Sequence, residues 1–387
     1  MYQLNKSKLA FFSVLVASLL GVGVSTEAAS KDRATGFYTR GDVSKAPGER
    51  NGYDNPNIAD ITKPTNWASN VDGIVAQLEW SALQPDAPSN SNEPAALDSS
   101  WIDDAIEDVE EWNSVSGHNQ LGIKLRIFAG IYTPAWVKNE VGSSTLDFDG
   151  TNFDGDFPHF WKNSFKTRYK ELHHLLAAKY DSEPLIKEIA ISACMVKNAD
   201  MHRARSEYQN INTLIDAGLT WKKDRDCQTW QIKAVAGKWD NTHVSVARPH
   251  FRKFKKMSSS PSKSDWPLSK PTMELMVETC RKESNCIIGN NSLEQEDKDV
   301  DAFSNKTHPL YYVAGKYRGN QSKAPVYYQT DVKVVQGSRL IHNIIQWGIK
   351  NSDVKLIELP PLKALRRHED SYLGGSDMQS KRTKLKQ

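Results

Sequence analysis

Short apolar runs alternate with amphipathic stretches over most of the chain, from residue 71 to residue 359. The apolar runs have the length and near-continuous hydrophobicity of strands that are buried on both faces. The stretches between them place apolar residues at helical spacing, as Phe165, Tyr169 and Leu172 do. Strands that alternate with helices predict a parallel sheet with right-handed crossovers.

About eight strand–helix units over roughly 330 residues favour a closed (β/α)8 TIM barrel over an open, doubly wound sheet. No GxGxxG follows a strand, which argues against a dinucleotide-binding fold. The prediction is a single-domain α/β protein whose barrel occupies residues 30–362. The strands are predicted at 36–39, 71–80, 123–131, 185–194, 242–247, 286–289, 324–329 and 354–359, and the helices at 100–115, 160–180, 208–217, 226–238, 272–282 and 338–349.

The two ends of the chain differ from the barrel in composition. Lys6 and Lys8 precede the apolar run Leu9–Val24, and small residues follow that run. This order predicts a secretory signal over residues 1–29, a secreted or periplasmic protein, and no stable membrane anchor after the signal is removed. The polar, basic tail over residues 363–387 is predicted to be disordered.

Composition narrows the functional classes. Of the 387 residues, 39% are hydrophobic and 25% are charged, which indicates a globular protein. The formal net charge of +3 is too small to indicate nucleic acid as a partner, and the run Lys253–Lys256 is predicted to be a solvated loop. Eleven tryptophans are unusual at this length, and indole rings offer flat apolar faces to sugar C–H groups.

The chain contains four cysteines, whose spacing does not resemble a zinc site. Cys280 and Cys286 are close in sequence, and export would allow them to form a disulfide with a small loop. Cys194 ends the apolar run IAISAC, which predicts a buried thiol rather than a bridge.

In a (β/α)8 barrel the residues at the carboxyl ends of the strands point into the active site. Here these ends carry carboxylates, amides and aromatic rings, but no GxSxG serine, histidine-rich metal set or phosphate-binding glycine loop. We therefore expect neither a metal nor an organic cofactor. Carboxyl pairs cleave glycosidic bonds, so the set favours a carbohydrate partner. The candidates are Glu79, Trp80, Arg126, Trp136, Asp200, His250, Asn290, Asn291, Gln329, Asp331 and Glu358.

Three segments resemble, in their order and spacing, the large clan of barrel glycoside hydrolases that includes cellulases and β-galactosidases. They are VDGIVAQLEWSALQP (Val71–Pro85), WIDDAIEDVEEW (Trp101–Trp112) and KLRIFAGIYTPAWV (Lys124–Val137). The resemblance implies a general acid at the end of the fourth strand, where IAISACMVKNADMH offers Asp200. It also implies a nucleophilic Glu at the end of the seventh strand, where APVYYQT has Gln329.

A carboxamide cannot accept a glycosyl group as a nucleophile, so Gln329 leaves three alternatives open. The strand count is off by one and Glu358 is the second carboxylate, or Asp331 substitutes, or the chain has lost the retaining mechanism. Glu358 lies in the otherwise apolar run LIELPP, and a carboxylate is costly to bury there unless it is functional or paired. The structural alternative for Glu358 is an ion pair with Arg126 inside the barrel.

Two functional hypotheses follow, with an exported scaffold that has no sugar ligand as a third. The first is an exported glycoside hydrolase with Asp200 as the acid and Glu358 as the second carboxyl, with Asp331 and Glu79 in reserve. The second, motivated by Gln329, is a carbohydrate-binding protein on the same scaffold without turnover. In either case the predicted binding residues are Trp80 and Trp136 for stacking, Asn290, Asn291 and Gln329 for hydroxyl groups, and His250 and Glu79 as further contacts.

Overall fold

The computed structural model describes residues 31–40, 70–90, 93–147, 155–195, 208–247, 251–262, 264–267, 269–293, 326–330, 338–352, 354–360 and 376–387. Eight parallel strands close into a barrel, and two further strands, β4 and β5, pair antiparallel beside it. The predicted single-domain (β/α)8 fold is therefore confirmed. The strands are β1 (Gly36–Arg40), β2 (Gly73–Glu79), β3 (Gly122–Phe128), β4 (Ser143–Leu146), β5 (Gly155–Pro158), β6 (Ile186–Ala190), β7 (His243–Ala247), β8 (Cys286–Leu293), β9 (Val326–Thr330) and β10 (Leu356–Glu358).

Helices pack around the outside of the barrel. Each predicted helix is present within a few residues of its predicted bounds, because its apolar positions recur at helical spacing. Within the described residues, no helix is long and apolar enough to cross a membrane. The helices are α1 (Trp80–Leu83), α2 (Ser100–Ser114), α3 (Ala135–Val141), α4 (Asn163–Tyr180), α5 (Tyr208–Asp216), α6 (Trp221–Ala236), α7 (Lys270–Cys280), α8 (Ser338–Ser352) and α9 (Ser376–Lys386).

Two tyrosine rings fill part of the barrel interior, and each ring packs against a glycine that has no side chain to obstruct it. A Cβ atom on Gly73 would lie 2.3 Å from the ring of Tyr38, and one on Gly289 would lie 2.0 Å from the ring of Tyr327. Both tyrosines are almost fully buried. A larger residue at either glycine would displace a ring that crosses the interior, so the interior is a packed core and not a pore.

Two predictions outside the barrel strands are wrong. The sequence predicts a disordered tail over residues 363–387, but the part of it that the structure describes, residues 376–387, contains helix α9, whose Met378 and Leu385 are fully buried. Cys194 was expected to be a free thiol, but it forms a disulfide with Cys227 on α6. The Cys280–Cys286 disulfide is present as predicted. Both errors arise because the partner lies far along the chain, where local patterns carry no information.

Helix α9 is held at the amino end of the barrel by Asp72, which lies just before β2. The guanidinium of Arg382 donates hydrogen bonds of 2.6–2.9 Å to both carboxylate oxygens of Asp72, and Lys386 Nζ donates one of 2.8 Å. Asp72 also accepts a hydrogen bond from the backbone N–H of Phe37 in β1. One carboxylate therefore joins the first two barrel strands to the last helix.

We expect Asp72→Asn to lower the free energy of unfolding by about 1.5–3 kcal/mol, because it weakens several charge-assisted hydrogen bonds at a buried group. Asp377→Asn on α9 is the matched control: its side chain is 65% exposed, against 4% for Asp72. The control should cost less than about 1 kcal/mol. Urea unfolding of both variants measures the difference, and equal effects would show that Asp72 does not anchor α9.

Candidate active site at the barrel mouth

Four charged side chains cross the barrel interior in alternating sign, and we call them the ion ladder: Glu188, Lys124, Glu358 and Arg126. Lys124 Nζ contacts Glu188 Oε1 and lies 2.9 Å from Glu358 Oε1. Arg126 Nη2 donates to both oxygens of Glu358, at 2.7 and 2.6 Å. All four side chains are 0–3% exposed. The structural alternative for Glu358, an ion pair with Arg126, is therefore present.

The neighbours of Glu358 keep it ionised. Burial alone would raise the pKa of Glu358, but the positive charges of Arg126, Lys124 and Arg40 outweigh burial and lower the pKa to about 2. Arg126 Nη1 also donates to Gln77 Oε1 at 3.2 Å, so Gln77 helps to orient the guanidinium. Lys124 Nζ lies 3.5 Å from the centre of the Tyr327 ring, which adds a cation–π contact.

This environment disfavours both catalytic roles for Glu358. A glycosyl group on its carboxylate would remove the negative charge and leave Lys124 and Arg126 buried without their counter-ion, which is strongly unfavourable. A general base must take up a proton during the reaction, and a pKa of about 2 opposes this at neutral pH. The geometry indicates that Glu358 neutralises charge inside the barrel.

Gln329 lies where the resemblance places the nucleophile. Strand β9 is the seventh barrel strand and β10 is the eighth, so the strand count is not off by one. Gln329 pairs in register with Glu358 on the neighbouring strand. Its Nε2 lies 3.4 Å from the backbone oxygen of Asn291, and within the described residues its buried Oε1 accepts no hydrogen bond. The seventh strand therefore presents an amide to the mouth of the barrel, which is the opening at the carboxyl ends of its strands.

The two asparagines lie within strand β8 and not in a turn, since β8 continues to Leu293. Asn291 Oδ1 accepts a hydrogen bond of 3.1 Å from Tyr327 OH, which places Asn291 on the interior face. Gly289 faces the Tyr327 ring in the interior, and the register of β8 shifts only after Asn290, so alternation from Gly289 directs Asn290 to the opposite face, with Ile288. Of the two, Asn291 is the better placed to meet a ligand in the barrel.

The stacking role predicted for Trp80 is wrong. Its ring is fully buried and packs edge-on against Phe165 and Tyr169 of α4, with ring centroids 5.6 and 5.5 Å away. Its Nε1 donates to Gln84 Oε1 at 2.8 Å. An indole with no exposed face cannot receive a sugar ring, and Trp80 instead joins the barrel to α4.

Trp136 is half-buried at the start of α3, on the carboxyl-end side of the barrel. Its Nε1 donates to the backbone oxygen of Gln84 at 3.0 Å, and the guanidinium of Arg168 on α4 lies 5.6 Å from its ring centre. Contact with an outer helix places Trp136 at the edge of the mouth and not over its centre. Its role in stacking stays a prediction.

Glu79 is the other carboxylate at the described strand ends, where it closes β2. It is 5% exposed, and Ser81 Oγ donates to its Oε2 at 3.3 Å. Lys138 on α3 is close enough for the two charges to interact. Glu79 therefore combines burial with a position at the mouth.

Asp200, His250 and Asp331 lie outside the described residues, so their roles stay predictions. The segment that leads to Asp200 is firmly held up to Met195. The backbone N–H of Cys194 donates to Gln231 Oε1 at 3.1 Å, and Gln228 Nε2 donates to the Cys194 oxygen at 2.8 Å. With the disulfide to α6, these bonds hold the segment that follows the fourth barrel strand.

Sequence reasoning did not assign a site role to Lys124, Glu188 or Gln77. The signal is present in β3, where GIKLRIF places charges two residues apart between apolar side chains. That period puts Lys124 and Arg126 on one face of a strand whose other face is apolar. Within the described residues, no three His, Cys, Asp or Glu side chains are grouped as a metal site would require.

The sequence matches no protein-family model and no curated protein. The solved structures that it resembles include several glycosidases. A glucosidase from Croceicoccus marinus has 11% identity and a TM-score of 0.45, with 93% of this chain and 69% of that chain covered. A β-galactosidase from the psychrophilic Marinomonas ef1 has 9% identity and a TM-score of 0.47, and the match covers 90% of this chain and 59% of that chain. A β-mannanase from the blue mussel Mytilus edulis has 10% identity and a TM-score of 0.46, and the match covers 93% of this chain and 97% of that chain.

Proposed function

We propose that this protein binds a saccharide at the carboxyl-end mouth of its barrel and forms no glycosyl-enzyme intermediate. The observation that carries the proposal is the pairing of Gln329 with Glu358 on the seventh and eighth barrel strands. Gln329 carries an amide, and Glu358 carries a carboxylate whose negative charge neutralises Lys124 and Arg126. A retaining glycosidase needs a carboxylate that can give up its charge to the sugar.

The mouth offers the polar groups that hold a sugar. Gln329 Oε1 accepts no hydrogen bond from the described residues, and the Asn291 amide faces the interior beside it. A sugar hydroxyl that donates to Gln329 Oε1 would satisfy a buried acceptor, and buried polar atoms are rarely left without a partner. Trp136 at the edge of the mouth would extend the site with an apolar surface.

Hydrolysis with inversion is the second candidate, and Glu79 favours it. Asp200 would protonate the leaving oxygen, and Glu79 would activate water from the end of β2. Inversion does not require a covalent intermediate, so Gln329 and the ion ladder do not oppose it. The burial of Glu79 is typical of a carboxylate with a functional or paired role.

Export is part of the proposal. Residues 1–29 have the order of a secretory signal, and the two disulfides are typical of proteins that fold in an oxidising compartment. The expected partner is a carbohydrate outside the cytoplasm.

The test is a panel of glycans and aryl glycosides, offered to the purified protein with binding and release of reducing ends measured in parallel. We expect binding of at least one glycan without release, and about tenfold weaker binding for Gln329→Ala. Gln120→Ala is the matched control, because Gln120 is exposed just before β3 at the amino end of the barrel. It should bind within twofold of the native protein.

Two results would overturn this proposal. Release of reducing ends with inverted anomeric configuration, lost in both Asp200→Asn and Glu79→Gln with folding unchanged, would establish the inverting hydrolase instead. Equal loss of affinity in Gln329→Ala and Gln120→Ala, or no binding to any glycan, would remove the mouth as a saccharide site.

A further inference from the structure

We propose that the rim of the barrel carries a second saccharide site that is selective for anionic sugars, formed by Trp221, Lys222, Arg225 and Lys253. We call these four residues the rim patch. The inference rests on the proposed saccharide function and specifies the class of sugar: a polysaccharide that carries sulfate or carboxylate groups.

Three cations surround one half-exposed indole in the rim patch. Lys253 Nζ lies 5.1 Å from the centre of the Trp221 ring, the Arg225 guanidinium lies 5.6 Å away, and Lys222 Nζ lies 5.9 Å away. An indole offers its face to sugar C–H groups, while adjacent cations attract charged substituents on the same sugar. A neutral sugar would use only the first of these interactions.

The rim patch lies on the same side of the barrel as the mouth. Trp221 begins α6, which leads back from the carboxyl end of β6 towards the amino end of β7. Lys253 follows β7 by a few residues. Both residues therefore lie at the carboxyl-end side, where a chain that enters the mouth can continue across the rim.

The loop that carries Lys253 is held in place. Trp266 is fully buried and its Nε1 donates to the Lys255 oxygen at 3.0 Å, while Arg252 Nη1 donates to the Trp266 oxygen at 2.8 Å. Asn212 on α5 exchanges hydrogen bonds with the backbone of Met257. A site that is already ordered loses less entropy on binding.

The charge of the rim patch is only partly neutralised. Arg225 pairs with Asp226 at 2.6 Å, and the neighbouring Lys256 pairs with Asp216. Lys222 and Lys253 are exposed, and neither forms an ion pair with a described carboxylate. Two lysines beside one tryptophan thus remain available to an anionic group. The exposure of Lys253, Lys255 and Lys256 agrees with the solvated loop that the sequence predicts for Lys253–Lys256.

Dextran sulfate and dextran test the proposal, because they share a backbone and differ in the sulfate groups. We expect the protein to bind dextran sulfate at least about tenfold more tightly than dextran. The double variant Lys222→Gln/Lys253→Gln should weaken dextran sulfate binding about tenfold or more, and so should Trp221→Ala. The double variant Lys170→Gln/Lys384→Gln removes the same charge from exposed sites elsewhere and should stay within twofold.

Circular dichroism and thermal unfolding confirm the fold of each variant before titration. Equal weakening by the two double variants would reduce the effect to overall charge and overturn the proposal, as would unchanged binding in Trp221→Ala. A DNA duplex that binds as tightly as dextran sulfate, with the same loss in the rim variants, would make the patch a general polyanion surface and would also overturn it. Gln329→Ala distinguishes the two sites. If the mouth does not bind a saccharide, the rim variants still lose affinity for dextran sulfate. If the rim patch does not bind one, Gln329→Ala still loses affinity for the glycan bound at the mouth.

Discussion

Replacing Glu358 with Gln is expected to lower the free energy of unfolding by about 3–5 kcal/mol. The substitution keeps the size of the side chain but removes the charge that faces Lys124 and Arg126, both of which are almost fully buried. A buried cation that loses its counter-ion cannot recover its hydration without opening the barrel. Urea unfolding followed by far-UV circular dichroism measures the loss.

Glu140→Gln provides the matched control for this variant. Its carboxylate pairs with Arg168 at 2.9 Å, but the side chain is 36% exposed. Exposed ion pairs contribute only about 0–1 kcal/mol, so the control should be nearly neutral. If Glu358→Gln is as mild as Glu140→Gln, Glu358 does not neutralise the interior. Unchanged stability together with lost hydrolysis would restore its catalytic role.

The pH dependence of stability gives an independent check on Glu358. Its pKa is lowered from an ordinary value of 4.5 to about 2 in the folded protein. The carboxylate therefore contributes stability that is fully present above pH 4.5 and is lost as the pH falls towards 2. Native protein should lose stability over this interval more steeply than Glu358→Gln, which has no carboxyl group to protonate. Parallel curves would contradict the low pKa.

Replacement of both Cys194 and Cys227 by Ala is expected to destabilise the protein by about 3–4 kcal/mol. The two residues are 33 positions apart, and a crosslink over that distance restricts the unfolded chain substantially. The double Ala variant of Cys280 and Cys286, which are separated by 6 positions, should lose only about 2 kcal/mol. Guanidinium unfolding of both variants compares them under the same conditions.

The location of the Cys194–Cys227 disulfide gives it a second expected effect. It joins the segment that follows the fourth barrel strand to α6, just before the residues that lead to Asp200. Glycan affinity should therefore fall in the Cys194/Cys227 variant and remain within twofold in the Cys280/Cys286 variant. Similar losses of stability in both variants would show that loop length does not determine the contribution of these crosslinks.

Much of the fold could be predicted because its signals are local. A strand such as β3 needs only a short apolar run, and a helix such as α4 needs only apolar residues at helical spacing. The hairpin β4–β5 and helix α3 were missed because they are short and lie inside one crossover. Helix α9 was missed because its polar sequence is held by Asp72, more than 300 residues away along the chain.

The candidate site was predicted less well than the fold, for a reason that Trp80 and Glu358 illustrate. The sequence placed both at the carboxyl ends of strands, and the structure agrees. The sequence could not determine which way each side chain points or which residues it contacts. Trp80 packs outward against α4, and Glu358 meets Lys124 and Arg126 inside the barrel. Direction and partner depend on strands that meet only when the barrel closes.

The order of apolar runs by itself determined that this chain forms alternating strands and helices, and therefore a parallel barrel with acids and amides at one end. Only the tertiary structure decided that Glu358 is neutralised by Lys124 and by Arg126, which is 232 positions away, that Trp80 belongs to the core, and that Cys194 forms a disulfide. The physical reason is the separation along the chain over which each kind of interaction acts. Hydrophobic periodicity acts between residues a few positions apart, whereas ion pairing, ring packing and crosslinking act between whichever groups the closed barrel brings within a few ångströms.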